Sequence, residues 1–203
     1  MTWYPDAEFV KSAYKPAQFV PDEGFEAAFA GRSNAGKSSA INAIVGRRQF
    51  AKTSKTPGRT QLINFFALAA GERLVDLPGY GFARVDKRTQ DHWRTLMHRY
   101  FTERRSLCGL VLVVDIRRGL TDFDRTMLQL ADLPAANVHV LLTKADKLKR
   151  EPARGVERDV RAELGPDVGL QLFSALKRTG VDAARSAVSA LLRPDERSLR
   201  SND

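Results

Sequence analysis

Gly31-Arg32-Ser33-Asn34-Ala35-Gly36-Lys37-Ser38 lies between an apolar run, Ala27-Ala28-Phe29-Ala30, and a helical pattern, Ser39-Ala40-Ile41-Asn42-Ala43-Ile44-Val45. Glycine, four residues, then Gly-Lys-Ser at a strand-to-helix junction is the pattern of a phosphate-binding loop. Gly31 and Gly36 let the backbone turn tightly and approach an anion. The amides freed there, with the helix N-terminus behind them, point partial positive charge at phosphates. Lys37 is expected to reach the β- and γ-phosphates of a nucleoside triphosphate, and the Ser38 hydroxyl to hold Mg²⁺. The plainer alternative, a glycine-rich turn before an ordinary helix, is disfavoured by that context.

Outward from this loop, strand and helix patterns alternate. Phe25 to Ala30 reads as a strand and Ser38 to Val45 as the first helix. Upstream, residues 1–20 form a mixed lead-in that packs on the rest, with Glu8-Phe9-Val10 as a short edge strand. Residues 46–60 are polar and basic with a Pro-Gly turn, and read as a mobile loop. Leu62 to Ala69 and Arg73 to Val75 read as adjacent strands turning at Ala70-Gly71. A second loop, Tyr80 to Gln90, leads to a helix from about Asp91 to Arg104. Leu110 to Val114 is continuously apolar, as a strand covered on both faces requires. A helix from Asp122 to Leu130 follows, with Asp122 placed to cap it. Strands at Val138 to Leu142 and Gly169 to Phe173 then alternate with helices at Glu151 to Leu164 and Val181 to Leu192. This order predicts an α/β fold in three layers, a mostly parallel central sheet with helices on both faces. One domain is expected over residues 1–203, with 193–203 a charged, disordered tail.

Parallel sheets bind ligands at the carboxyl ends of their strands, and further motifs fall at those ends. Asp76-Leu77-Pro78-Gly79 ends an apolar strand; its carboxylate suits the Mg²⁺ shell, reaching the ion through water, and the Gly79 amide suits a γ-phosphate. In Gly58-Arg59-Thr60, the Thr60 hydroxyl can reach Mg²⁺ and its amide the γ-phosphate, ordering the loop in the triphosphate state. Thr56 and Thr53 compete for that role, and spacing alone does not choose. Thr143-Lys144-Ala145-Asp146 ends another strand. The Asp146 carboxylate can accept from both the N1–H and the N2–H₂ of guanine, a donor pair that adenine lacks. Lys144 is expected to lie along the base and the phosphate loop, and the backbone amides at Phe173-Ser174-Ala175 to meet the guanine oxygen.

Composition narrows the partners. The 203 residues carry 33 Lys+Arg against 24 Asp+Glu, a net +9 that favours anionic ligands. No apolar run is long enough for a membrane span, and residues 1–10 lack a signal-peptide pattern, so a cytoplasmic location is expected. The single Cys108 reads as a small core residue. His92 and His98 fall on different helix faces, and Trp93 and Trp3 read as packing residues.

Together these motifs resemble the translation-factor-related GTPases. Phe29 to Ser39, Thr56 to Gln61, Asp76 to Gly81 and Leu142 to Asp146 resemble in particular the EngB (YihA/YsxC) family of bacterial ribosome-biogenesis GTP-binding proteins. Thr143, where most GTPases have asparagine, is similar to the EngB pattern. The resemblance spans residues 8–192 and implies a P-loop GTPase fold that binds GTP or GDP with Mg²⁺. It further implies assembly of the large ribosomal subunit and a link to cell division and septation. The 50S subunit or its precursor and ribosomal RNA are the implied partners, with neither DNA nor a membrane, for a protein acting as a monomer. The catalytic set it implies is Lys37, Thr60 and Asn34.

Many small GTPases place a water-orienting glutamine where this chain has Tyr80, and a phenol cannot present an amide's paired donor and acceptor. Unassisted hydrolysis is therefore expected on the order of 10⁻⁴ to 10⁻³ s⁻¹ or slower. Asn34 either binds K⁺ beside the phosphates, as in related GTPases, or merely tolerates the turn geometry. Arg47, Arg48, Lys52, Lys55 and Arg59 on one loop, with Arg84, Lys87 and Arg88 on the other, are expected to meet ribosomal RNA. Two rivals remain: a P-loop ATPase or kinase, which Asp146 disfavours, and an RNA-binding assembly module that uses nucleotide only structurally.

Overall fold

The computed structural model describes residues 4–51, 62–69, 71–81, 86–134 and 137–193. Strands are β1 (Glu8–Ala13), β2 (Phe25–Gly31), β3 (Ile63–Ala67), β4 (Glu72–Asp76), β5 (Leu107–Asp115), β6 (Val138–Thr143) and β7 (Gly169–Leu172). Helices are α1 (Lys37–Val45), α2 (Lys87–Glu103), α3 (Asp122–Ala131), α4 (Arg150–Leu164) and α5 (Val181–Leu191). The strands form one seven-stranded sheet in the order β1-β3-β4-β2-β5-β6-β7. Pairings from β4 through β7 are parallel, while β1–β3 and β3–β4 are antiparallel.

The continuous apolar runs are explained by what covers them. In β5, Leu110, Leu112 and Val114 face a core shared with α2, α3 and α4, whereas Val111 and Val113 face one shared with α1 and α5. A strand buried on both faces cannot alternate with polar residues. β2 repeats the arrangement, with Ala28 and Ala30 on one side and Ala27 and Phe29 on the other. Gly31 ends β2 where a Cβ would lie 2.6 Å from the Val113 carbonyl oxygen, so the strand approaches β5 there only without a side chain.

Away from the phosphate loop, the amino end of β2 is pinned by Glu26, which is fully buried. Its carboxylate accepts from Arg104 Nε (3.0 Å) and Nη2 (2.6 Å), from Arg73 Nε (2.9 Å) and from the Tyr100 hydroxyl (3.0 Å). Arg104 also donates to the Val20 and Pro21 carbonyls, so the lead-in is tied to α2 and β2 at one point.

β1 and β5 run longer than expected, and two helix starts differ because of their caps. The helix expected near Asp91 starts at Lys87, because Asp86 accepts from the Thr89 amide at 2.7 Å and caps it. Lys87 and Arg88 are therefore helical rather than part of a loop. The cap of α3 is Thr121, not Asp122: Thr121 Oγ1 and the Asp124 carboxylate form a reciprocal capping box. Asp122 becomes the first helical residue, where a negative charge still suits the helix dipole. Cys108 is buried in β5, and burial pushes its thiol up from the ordinary range.

Candidate functional site

The carboxyl ends of β2, β4, β5 and β6 bring Gly31, Asp76, Asp115 and Thr143 to one rim of the sheet. From β2 the chain crosses to β3 on one side and from the neighbouring β5 to β6 on the other, so the connections diverge between β2 and β5, which is where an open α/β sheet forms its ligand crevice. From Gly31 the backbone turns through Asn34 (φ 63°) and Gly36 (φ 102°, ψ 19°) into α1. Both are left-handed conformations, and Gly36 takes the more extreme one, which favours glycine. The turn is held by Ala35 N–H to the Arg32 carbonyl (3.0 Å) and Ser33 N–H to the Tyr80 carbonyl (2.9 Å). Gly79 packs closely on this loop, its would-be Cβ only 3.3 Å from Ser33 Cα.

Lys37 opens α1, and its ammonium is paired with the buried Asp76 carboxylate. Asp76 Oδ2 also faces Asn64 Nδ2 at 3.4 Å, and Asn64 Oδ1 accepts from Ser12 Oγ at 2.6 Å. A polar chain thus runs from the phosphate loop across β4 and β3 to β1. Ser38 and Ser39 follow in the first turn of α1. Leu77 is fully buried, its amide donating to the Phe29 carbonyl, and the Pro78 carbonyl accepts from Trp93 Nε1 at 3.4 Å. Gly58, Arg59 and Thr60, with the rival Thr53 and Thr56, lie outside the described residues.

Thr143 is buried, with its hydroxyl within reach of the Ala35 carbonyl and, at 3.0 Å, the Val114 carbonyl. A threonine in place of the commoner asparagine still ties this strand end to the phosphate loop. Lys144, left-handed at φ 58°, donates to the Asn34 carbonyl and to Asp115 Oδ2 at 2.9 Å. Ala145 N–H donates to the Phe173 carbonyl at 3.1 Å, which sets the Asp146 and Ser174 segments side by side. Asp146 Oδ1 then accepts from Ser174 Oγ at 2.6 Å.

The Ser174 amide does not point where the sequence reading placed it. It donates to the Thr179 carbonyl at 3.0 Å, and the Phe173 amide, also expected at the base, donates to the Leu142 carbonyl at 2.8 Å, so Ser174 contributes its hydroxyl. Ala175 is the next residue whose amide can serve a base oxygen.

Two contributors were not singled out in the sequence. Asp115 ends β5 as Asp76 ends β4, and that parallel was the available signal. Burial alone would raise its carboxyl, but hydrogen bonds from Arg117 and Lys144 hold it well below the usual range. It thereby fixes Lys144 against the loop. The second is Asp124, which accepts from the buried Tyr80 phenol at 2.6 Å. Burial, then the Asp124 charge, push the Tyr80 hydroxyl well above its ordinary range. Tyr80 is thus a packing and anchoring residue, with its ring near Trp93 and Phe123.

A lysine-bearing loop on the crevice, a carboxylate beside it and a second carboxylate held at the next strand ends define a P-loop GTPase. Residues 26–144 match the family described as 50S ribosome-binding GTPase. The chain is 50% identical to the probable GTP-binding protein EngB of Azoarcus sp. (strain BH72) over 198 residues, covering 96% of this chain and 95% of that protein. It is equally identical to the Nitrosococcus oceani protein of the same description over 192 residues, covering 93% and 96%. The chain belongs to the EngB family of GTP-binding proteins. The crystal structure of a probable GTP-binding protein engB aligns with TM-score 0.64 at 24% identity, over 83% of this chain and 98% of that one. Era bound to MgGDPNP and nucleotides 1506–1542 of 16S ribosomal RNA aligns with TM-score 0.62 at 18% identity, over 85% and 58%. These two likenesses concern the fold. Among the described residues, no helix is long and apolar enough to cross a membrane.

Proposed function

We propose that this GTPase is a nucleotide switch that docks on the large ribosomal subunit or its precursor in the triphosphate state, contacting ribosomal RNA. The observation that carries it is the joining of the Thr143–Asp146 segment to the phosphate loop through Thr143 and Lys144, on a chain of net charge +9. Guanine reading and phosphate gripping are then one rigid unit. The match to the 50S ribosome-binding GTPase family supports the ribosomal assignment. Roles in subunit assembly, cell division and septation follow from it as parts of the same proposal.

Gly31 through Ser39 bind the phosphates, Lys37 balancing their charge; Asp146, with the Ala175 amide, reads guanine; and Lys144 lies along the base. The donor set of Ser38 hydroxyl and Asp76 carboxylate is hard oxygen, which fits Mg²⁺. That ion, when bound, neutralises charge on the β- and γ-phosphates. Lys37 would then exchange its Asp76 partner for phosphate. Thr60 and Gly79 are assigned to sensing the γ-phosphate. Tyr80, anchored on Asp124, cannot orient a water, so turnover is slow without a partner. Asn34 is positioned on the loop's exposed side, and a K⁺ role for it predicts faster hydrolysis in K⁺ than in Na⁺; equal rates would remove that role.

Co-sedimentation with 50S particles tests the switch. Docking is expected with a non-hydrolysable GTP analogue, to weaken with GDP, and to lose this difference in Lys37→Ala. Equal docking in both nucleotide states would leave a nucleotide-independent RNA-binding module instead.

A further inference from the structure

Tyr14 follows β1, the edge strand of the sheet, and its ring stacks on His92 of α2 with centroids 4.0 Å apart and planes within 19°. Tyr14 is nevertheless 53% exposed, so its open surface lies on the side away from His92. The Gln18 side chain accepts from the Tyr14 and Lys15 amides at 2.9 and 3.2 Å, which fixes the backbone that carries the ring. His92 Nε2 has no hydrogen-bond partner among the described residues, and the Tyr14 ring packs on the imidazole.

Exposed cations lie on the two segments that carry this pair. Lys11 and Lys15 are exposed on the β1 side, and Arg88 is exposed one turn before His92 on the same helix face. The edge itself is poorly suited to pairing with another strand, since β1 carries a bulge between Phe9 and Lys11 and a lysine within it. What it offers instead is a flat ring among positive charges.

We propose that Tyr14 and His92 form a stacking seat for an unpaired RNA base, with Lys11, Lys15 and Arg88 taking the flanking phosphates. Aromatic faces stack splayed-out bases while basic side chains track the backbone. The proposal rests on the ribosomal RNA reading above and names where one unpaired nucleotide sits. The seat joins two parts of the nucleotide site. Ser12, two residues before Tyr14, ends the polar chain from Lys37 and Asp76, and His92 lies on the helix that follows Gly79.

The test is anisotropy titration of a labelled, mixed-sequence, unpaired 12-nucleotide RNA and of the same RNA annealed to its complement, with about 0.1 M salt as a working condition. Tyr14→Ala is expected to weaken unpaired RNA roughly 5- to 100-fold. Tyr14→Phe should keep wild-type affinity, and the duplex should be little affected by either. Lys11→Gln with Lys15→Gln should lower the salt slope by about 2. Melting temperature and GDP affinity, unchanged in Tyr14→Ala, confirm an intact fold. Unaltered RNA affinity in Tyr14→Ala, or equal loss on the duplex, overturns the seat while salt-sensitive docking of the wild type on 50S particles keeps the ribosomal RNA reading. Loss of particle docking without loss of RNA affinity assigns the seat to a ribosomal protein and overturns it as an RNA site. A wild type that binds neither RNA nor particles overturns both.

Discussion

The Asp146 carboxylate is set by one hydroxyl. Ser174 Oγ donates to Oδ1 at 2.6 Å, which fixes the carboxylate plane before a base arrives. Ser174→Ala should therefore lower GDP affinity about tenfold, near 1.4 kcal/mol, in calorimetric titration. An unchanged affinity would show that the hydroxyl does not position the carboxylate. Thr143 acts on the other side of the motif, holding the Ala35 and Val114 carbonyls. Thr143→Val keeps its volume but removes the one hydroxyl hydrogen within reach of both carbonyls, so about 1–2 kcal/mol of stability should be lost in denaturant unfolding. The motif residues were legible in the sequence because their order along the chain is distinctive. Their mutual holding was not, since Ser174 Oγ, Asp115 and Asn64 meet the site across strands far apart in the chain.

Between elements, the loop Asp76 to Gly81 is anchored on α2 and α3 by Trp93 and Tyr80. Tyr80→Phe removes the hydroxyl that donates to Asp124 Oδ1, at a buried site, and should cost about 1–3 kcal/mol. Its hydrolysis rate without a partner should change little, because the phenol is turned toward Asp124. A large fall in that rate would make Tyr80 catalytic. The existence and order of strands and helices were readable from apolar runs and periodicity. The start of α2 was not, because Lys87-Arg88-Thr89-Gln90 has no apolar periodicity and is helical through its Asp86 cap. The same holds for Thr121, whose capping role depends on Asp124 turning back to it.

The whole molecule couples a rigid rim to a basic exterior. Docking on ribosomal particles should weaken steeply with salt, a negative slope of several on a log–log plot, as phosphate contacts require. Stability should also fall with acid. Asp115 and Asp22 titrate below the ordinary 3.8 in the folded state, so their contribution is present above that value and lost as pH drops through it. Burial likewise holds the His139 imidazole below 6.5, so an earlier loss starts as pH falls past that value. Melting temperature should be level above pH 7 and decline toward pH 5, and His139→Gln should flatten that stretch. The most direct test of a guanine-controlled switch uses Asp146→Asn and large-subunit co-sedimentation. A non-hydrolysable xanthosine triphosphate analogue should restore docking of the variant where the GTP analogue fails. Docking of the variant driven by the GTP analogue as well as in the wild type would contradict it.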